Sequence, residues 1–502
     1  MPSWLRELLP IVLLLAVVTF VLLRLPKVKE VSHSAGFRRR RVLNWLPLGL
    51  TYAFLYMGRY NLKVSQHVFE HMTNAEGEQL MTSADFATIF GIGTAVYGCA
   101  FLINGPLTDR FGGRAAILVG AGGAAVANLL MGIITWLVKS GGAPASVIGG
   151  QFVVLFSALY ALNMYFQSFG AVAIVKVNAP WFHVRERGVF GAIFGILISL
   201  GIYFAFDWSH MIISFFGTDP ELHDAPSRLP WVFFAPAALL VLFWILVTSF
   251  VKNTPGDAGF KDFDTADASA EEGAPRLGSL AVFKLMLRNP IIVTIASIEF
   301  CSGFLRQAIM QWYQTFAKHT DGTLGNRDSL VYENWGLLLC CAGILGGVVA
   351  GVISDHLFQS RRGPVAAVLY GAMLVGSVVL AFTYQTPLVG WLTVLMSMFI
   401  IGVHGMLSGT ASMDFGGKQN VGVAVGIIDG FVYAGTAFMA LVYGVLLPEE
   451  HLDASGKITG PSTDPSNWLA WPVAMIPVAL IGLVLATRVW NAKPKRAAAK
   501  AA

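Results

Sequence analysis

The sequence predicts an all-α integral membrane protein built as two six-helix bundles, with one extra transmembrane helix at the N-terminus. Three observations predict it. The 502 residues are 55% hydrophobic and only 13% charged, with a mean hydropathy of +0.65, whereas about 25% of an ordinary soluble domain is charged. Apolar runs of roughly 20 to 25 residues recur along the chain, enough at about 1.5 Å per residue to cross a ~30 Å hydrocarbon core. The two halves of the chain also repeat each other's landmarks. The runs are continuous, whereas a membrane β-barrel would show short segments of alternating polarity.

In chain order, spans are expected at 4–25, 42–65, 85–108, 114–138, 147–178, 188–208, 230–251, 289–317, 332–356, 364–384, 387–413, 420–447 and 468–490. The first is the extra helix, and the other twelve divide six and six. The expected organisation is an extra helix and basic segment at 1–41, a six-helix bundle at 42–251 and a cytoplasmic linker at 252–288. A second bundle at 289–490 and a tail at 491–502 follow. The linker is polar, acidic and rich in Gly, Ala and Pro, with an amphipathic piece expected near Leu277–Leu287.

Charge placement sets the expected topology. With 109–114 and 252–288 on one side, that face takes 24 of the 34 Lys and Arg and the other face takes seven. Basic loops stay cytoplasmic, so the N-terminus is expected outside and the C-terminus inside, in the cell inner membrane. The FRRRR run at 37–41 then reads as a topology anchor, not a nucleic-acid patch. The first apolar run could be a signal peptide. Arg6 and Glu7 precede it, the stronger positive charge follows it, and no A-x-A-like site is visible, which favours a retained anchor.

Several functions are disfavoured. Cys99, Cys301, Cys340 and Cys341 all fall in spans without CxxC spacing, so neither a metal site nor a disulfide framework is expected. The glycine clusters lack a following GK[ST], so no ATP loop is expected. The chain reads as a carrier and not an enzyme, with no cofactor and no nucleic-acid partner, working as a monomer in lipid on a small organic anion.

The repeat points to that anion. Arg59 and Arg306 each lie 18 residues after a basic residue that opens the helix, Arg41 and Arg288. Asp109 follows Arg59 by 50 residues and Asp355 follows Arg306 by 49. An arginine inside a bilayer is costly unless it faces a cavity, water or an anion. Two such arginines related by a repeat suggest one anion held between two half-molecules. Snorkelling to a surface is the plainer alternative. Tyr60 and Trp312 lie close to the arginines in sequence and are the favoured aromatic lining, ahead of Tyr56, Tyr97 and Tyr313.

Other polar residues keep two readings. Glu299 precedes Arg306 by seven residues, two helical turns, so both project from one face. Glu299 is either a proton-coupling group or a static partner that neutralises Arg306. Asp429 in GIIDGF and His404 in GVHGML are coupling candidates or satisfied core polar groups. Asp85 reads as a helix cap, and Asp207 as an outer-interface residue.

GPLTDRFGGRAAILVG at 105–120 and GVISDHLFQSRRGPVAAV at 351–368 echo each other. Asp109, Arg110 and Arg114 in the first, and Asp355, Arg361 and Arg362 in the second, are expected to form a cytoplasmic latch. Ordinary helix capping is the alternative. The doubled pattern resembles the motif that major-facilitator proteins carry between their second and third helices.

The resemblance narrows with YMGRYNL, NMYFQSFGAVAIVKVNAPWFHVRERG, NTPGDAGF, FLRQAIMQWYQTFAKH and SMDFGGKQNVGVAVGIIDGFVYAG. In this order they are similar to the organophosphate:phosphate antiporter family, which includes glycerol-3-phosphate and hexose-phosphate transporters. The similarity runs over roughly 42–490. It implies a major-facilitator fold and phosphate-binding roles for Arg59 and Arg306, with Lys176 as a further basic residue of the site. It also implies uptake of a phosphorylated metabolite by alternating access, in exchange for phosphate. The chain departs from that pattern at Ile198, Tyr60 and Phe101, where relatives carry His, Lys and Lys. Proton-coupled transport of another organic anion therefore stays open, as does a sugar-phosphate receptor signalling to a kinase.

Overall fold

The computed structural model describes residues 12, 16, 31, 34–70, 72–73, 79–140, 149–214, 228–267, 278–448, 451–452 and 458–493. The expected extra helix at 4–25 lies outside the described residues except Val12 and Ala16, and the end of the tail also lies outside them.

Fourteen helices carry the argument below. They are α1 Ala35–Glu70, α2 Ser83–Phe111, α3 Gly113–Ser140, α4 Phe152–Asn178, α5 Arg187–Tyr203 and α6 Trp231–Phe250, then a short α7 Ser279–Arg288. After these come α8 Pro290–Met310, α9 Trp312–His319, α10 Trp335–Val352, α11 Arg362–Thr383, α12 Leu388–Met406, α13 Ser412–Leu446 and α14 Ala470–Arg488. The amphipathic piece expected in the linker is α7.

Local chemistry sets the ends. Thr82 caps α2: its hydroxyl accepts from Asp85 N at 3.1 Å, and Asp85 Oδ2 accepts from Thr82 N at 2.9 Å. This reciprocal box satisfies two backbone donors that the helix leaves open; the N-cap is Thr82, and Asp85, which the sequence suggested as the cap, is the third helical residue that closes the box. Asn289 caps α8 through Ile291 N at 3.0 Å, with Pro290 at the first helical position, where no backbone donor is needed. Gly112 ends α2 at φ 87°, which an L side chain rarely adopts.

Four breaks interrupt the regular helices. Five-residue π segments follow α5 (Phe204–Trp208), α10 (Ile353–Leu357) and α12 (Leu407–Ala411). Gly417, at φ 66°, and Asn420 break the start of α13.

Ten segments of the described residues are long and apolar enough to cross a membrane. Leu388–Leu446 counts once among them although it holds both α12 and α13. Large apolar side chains stand outward on these helices, with Phe382 85% and Val445 84% exposed. In water such surface would be an aggregation hazard; in lipid it is the solvent-facing side. The chain is a multi-pass membrane protein.

Among the described residues the chain forms two compact units. The first is Ser32–Trp181 with Leu200–Phe263; the second includes Phe182–Ser199 and Asp264–Ala502. The chain crosses between the units more than once, and the crossing after Ser199 falls inside α5. In the first unit α4 packs on α2 and α3, while α6 packs on α3 and α1. In the second, α12 packs on α10 and α11, while α14 packs on α11 and α8. The same pairings recur, so the repeat seen as a sequence offset is also a repeat of packing.

Small residues allow the closest approaches. A Cβ on Gly303 of α8 would collide with the Val432 carbonyl of α13, and one on Gly435 of α13 with the Phe300 carbonyl of α8. Lipid gives helices little hydrophobic reason to associate, so close van der Waals packing at such positions carries much of the association.

Candidate functional site

In the first unit Arg59 is buried in the middle of α1, at 2% exposure. Its guanidinium carbon lies 4.4 Å from the Tyr56 ring centroid and 4.3 Å from that of Tyr97 on α2. Both rings are within cation–π range, and both hold the planar group in place. Arg59 Nη2 lies 3.5 Å from Gln167 Oε1 on α4. Tyr60 packs on Tyr56 and Phe206.

A chain of buried amides fixes this segment. Asn61 Nδ2 donates to Asn128 Oδ1 at 2.7 Å, and Asn128 Nδ2 donates to Asn163 Oδ1 at 3.0 Å. Asn163 Nδ2 donates to the Gly58 carbonyl at 2.8 Å, and Tyr160 donates to the Arg59 carbonyl at 2.9 Å. Asn163 and Tyr160 of α4 therefore hold the backbone carbonyls of Gly58 and Arg59, while Asn128 of α3 holds the Asn61 side chain. None of these amides was singled out from sequence. The available signal was the four-residue spacing of Asn163 and Gln167 in an otherwise apolar helix, which puts both on one face.

Lys176 is placed elsewhere. In the last turn of α4, its Nζ lies 2.5 Å from Asp109 Oδ1 on α2, a pair nearly closed from solvent. Asp109 of the expected latch is thus joined to Lys176. Arg114 donates to the Thr248 carbonyl at 2.6 Å, and its backbone N–H to Asn253 at 2.9 Å. Arg110 lies over the ring of its neighbour Phe111.

In the second unit Arg306 is buried on α8, at 5% exposure. Two turns earlier on that helix, Glu299 is fully buried, and its Oε2 lies 2.8 Å from His404 Nδ1 on α12. Asp429 on α13 accepts from Ser408 at 2.5 Å and is within Coulombic range of His404, Glu299 and Arg306. The three coupling candidates therefore meet in one buried cluster with Arg306. Trp312, at the start of α9, packs against Tyr443 and Trp468, with its Nε1 3.3 Å from Met439 Sδ.

Asp355 and Arg362 of the expected latch belong to a larger buried network in the same unit. Arg362 Nε donates to Asp414 Oδ2 at 2.9 Å, and Arg362 Nη1 lies 3.3 Å from Asp355 Oδ1. Arg187, at the start of α5, donates to Asp414 Oδ1 at 3.0 Å and to Asp267 Oδ2 at 2.7 Å. Two arginines and three aspartates thus pair away from water, and each buried charge has an opposite partner. Arg361 instead bonds the Phe358 carbonyl and Asn491. Arg187 and Asp414 lie in segments that carry the family resemblance, but nothing in the sequence singled them or Asp267 out as partners.

Among the described residues no group of three or more His, Cys, Asp or Glu could hold a metal ion.

The model of the Major Facilitator Superfamily matches residues 48–440. The chain belongs to that superfamily. Within it, the chain is 23% identical over 490 residues to the "Glycerol-3-phosphate transporter" of Bacillus subtilis, covering 93% of this chain and 96% of that one. It is 24% identical over 425 residues to the "Membrane sensor protein UhpC" of Escherichia coli, covering 81% and 86%. A crystal structure of the transporter FucP in the outward conformation shares the superfamily fold. Its TM-score is 0.58 at 14% identity, over 88% of this chain and 97% of that one. The membership makes the protein one of a superfamily of membrane carriers and not an enzyme.

Proposed function

We propose that this major-facilitator protein is a secondary transporter moving a small phosphorylated metabolite, glycerol-3-phosphate or a sugar phosphate, by alternating access. Arg59 and Arg306 supply the cationic ligands, and Tyr60 and Trp312, close to them in sequence, supply aromatic lining. Lys176 is left out of that set because Asp109 already holds it. The N-terminus is outside, the C-terminus is cytoplasmic, and the unit of function is a monomer in the inner membrane.

One observation carries the reading. Two arginines, each almost wholly buried, lie on α1 and α8, in a chain similar along nearly its whole length to a glycerol-3-phosphate transporter. A guanidinium keeps its charge under all ordinary conditions and matches phosphate oxygens with two parallel donors.

The test is uptake of labelled glycerol-3-phosphate into proteoliposomes holding the purified chain. Arg59→Ala and Arg306→Ala should each lower uptake at limiting substrate by about tenfold to a hundredfold, as loss of a charge-assisted bond of about 1.5–3 kcal/mol requires. Undiminished uptake in both variants would sink the assignment. The similarity to a protein named as a sensor supports a second reading, a receptor. Tight binding of the same anion with no uptake would favour it.

A further inference from the structure

Glu299, His404 and Asp429 meet inside the second unit, yet binding of an anion by arginine does not need them. Glu299 is wholly buried. Its Oε2 bonds His404 Nδ1 at 2.8 Å, while its Oε1 has no hydrogen-bond partner among the described residues. A buried carboxylate oxygen left without a donor is costly, and a proton removes that cost.

The surroundings restrict where compensation comes from. On α8 the neighbours are Arg306, two turns on, and Cys301. Helix α12 brings His404, and α13 brings Asp429, which is held by Ser408. Helix α11 brings Tyr370, whose hydroxyl donates to the Ile298 carbonyl at 2.6 Å. The α5 side brings the Phe194 ring against His404. Helix α10 carries no Asp, Glu, Lys, Arg or His, and α14 carries only Arg488 in its last turn. The local charge is therefore set by Arg306, Glu299, Asp429 and the protonation of His404. With one proton on the Glu299–His404 pair the four groups sum to zero. Without it they sum to one negative charge.

We propose that the Glu299–His404 pair, backed by Asp429, is a proton-binding site whose occupancy is coupled to anion binding at Arg306. This rests on the anion-binding role proposed for Arg306. An anion that draws on the Arg306 charge leaves Glu299 and Asp429 less compensated, so the cluster then binds a proton more tightly. Coupling is reciprocal, so a bound proton strengthens anion binding by the same factor. The proton enters from water on the side where the anion enters, sits on the pair during the crossing, and leaves to water on the other side. No other co-reactant is required.

The experiment uses the full chain in proteoliposomes with labelled glycerol-3-phosphate and a pH dye inside. An acid-outside gradient should raise net uptake by the wild type about fivefold or more and acidify the lumen as substrate enters. Glu299→Gln, nearly the same shape, should lose that stimulation while counterflow between equal pools stays within about twofold. The retained counterflow shows a folded carrier. Substrate titrates identically for both proteins, so the difference between them reports the protein's proton. Stimulation that persists in Glu299→Gln, or is absent from the wild type, would overturn the proposal.

A substrate-free measurement separates the two readings. In the infrared difference spectrum between mildly acid and alkaline pH, the wild type should show a protonated-carboxyl band that Glu299→Gln lacks. If that band appears but glycerol-3-phosphate is neither bound nor carried, the proton site stands and the substrate reading falls. If the band is unchanged in Glu299→Gln, the proton site falls whatever the substrate.

Discussion

Arg187 Nη1 lies 3.0 Å from Asp414 Oδ1, although the two residues are 227 positions apart. Both side chains are almost wholly buried, and the second oxygen of Asp414 takes Arg362. One carboxylate therefore compensates two guanidinium groups at once.

Asp414→Asn should accordingly be one of the most damaging single changes outside the arginine sites. It removes the negative charge while leaving Arg187 and Arg362 buried. Loss of one partner of a buried pair costs about 3–5 kcal/mol. Arg187 keeps Asp267 and Arg362 keeps Asp355, so the lower end of that range is expected. Thermal unfolding of the purified protein in detergent should shift down by several degrees. An unchanged melting curve would show that Asp414 is not the centre of this network.

The Tyr97 ring supports the Arg59 guanidinium at 4.3 Å. Tyr97→Leu removes a cation–π contact of about 0.5–2 kcal/mol. The KM for the transported anion should rise about twofold to thirtyfold. Tyr97→Phe keeps the ring and should stay within about twofold of wild type. A Phe variant as impaired as Leu would assign the role to the hydroxyl instead.

Lys176 and Asp109 form their own pair, so neither is expected to bind substrate. Lys176→Met and Asp109→Asn should each leave KM within about twofold of wild type. Their effects on thermal stability should be strongly non-additive, because either change alone breaks the same contact. A large KM increase in Lys176→Met alone would return the residue to the anion site.

Much of this could be read from the chain, for physical reasons that differ by element. Membrane helices announce themselves by composition, because lipid forces about 20 consecutive residues to be mostly apolar. Arg59 and Arg306 stand out for the converse reason, as charges where charge is expensive. Pairings are harder. Lys176 meets Asp109 across 67 residues and Arg187 meets Asp414 across 227. Nothing local in either segment names its partner. The π segments at 204–208, 353–357 and 407–411 are likewise hidden. One extra residue in a helical turn leaves the apolar pattern almost unchanged, yet it rotates every side chain beyond it. Glu299 and Arg306 could be placed on one face by spacing, but the meeting of Glu299 with His404 needed the packing of α8 against α12.

The approach of α8 to α13 offers the final test. Gly303 lies between Glu299 and Arg306, and any Cβ there would collide with the Val432 carbonyl. Backbone cannot move aside as a flexible side chain can, so Gly303→Ala must push the helices apart. Overpacking of this kind costs about 1–3 kcal/mol. Asp429 sits on α13 three residues before Val432, so the same displacement separates it from the Glu299–His404 pair. Gly303→Ala should therefore lower both the melting temperature and the pH stimulation of uptake. Gly371→Ala is the control: it lies within α11 with nothing within 4 Å of the added atom. Removing a helical glycine there should be neutral or stabilising by about 0.5–1 kcal/mol. Equal behaviour of the two variants would mean that close contact at Gly303 does not hold these helices together.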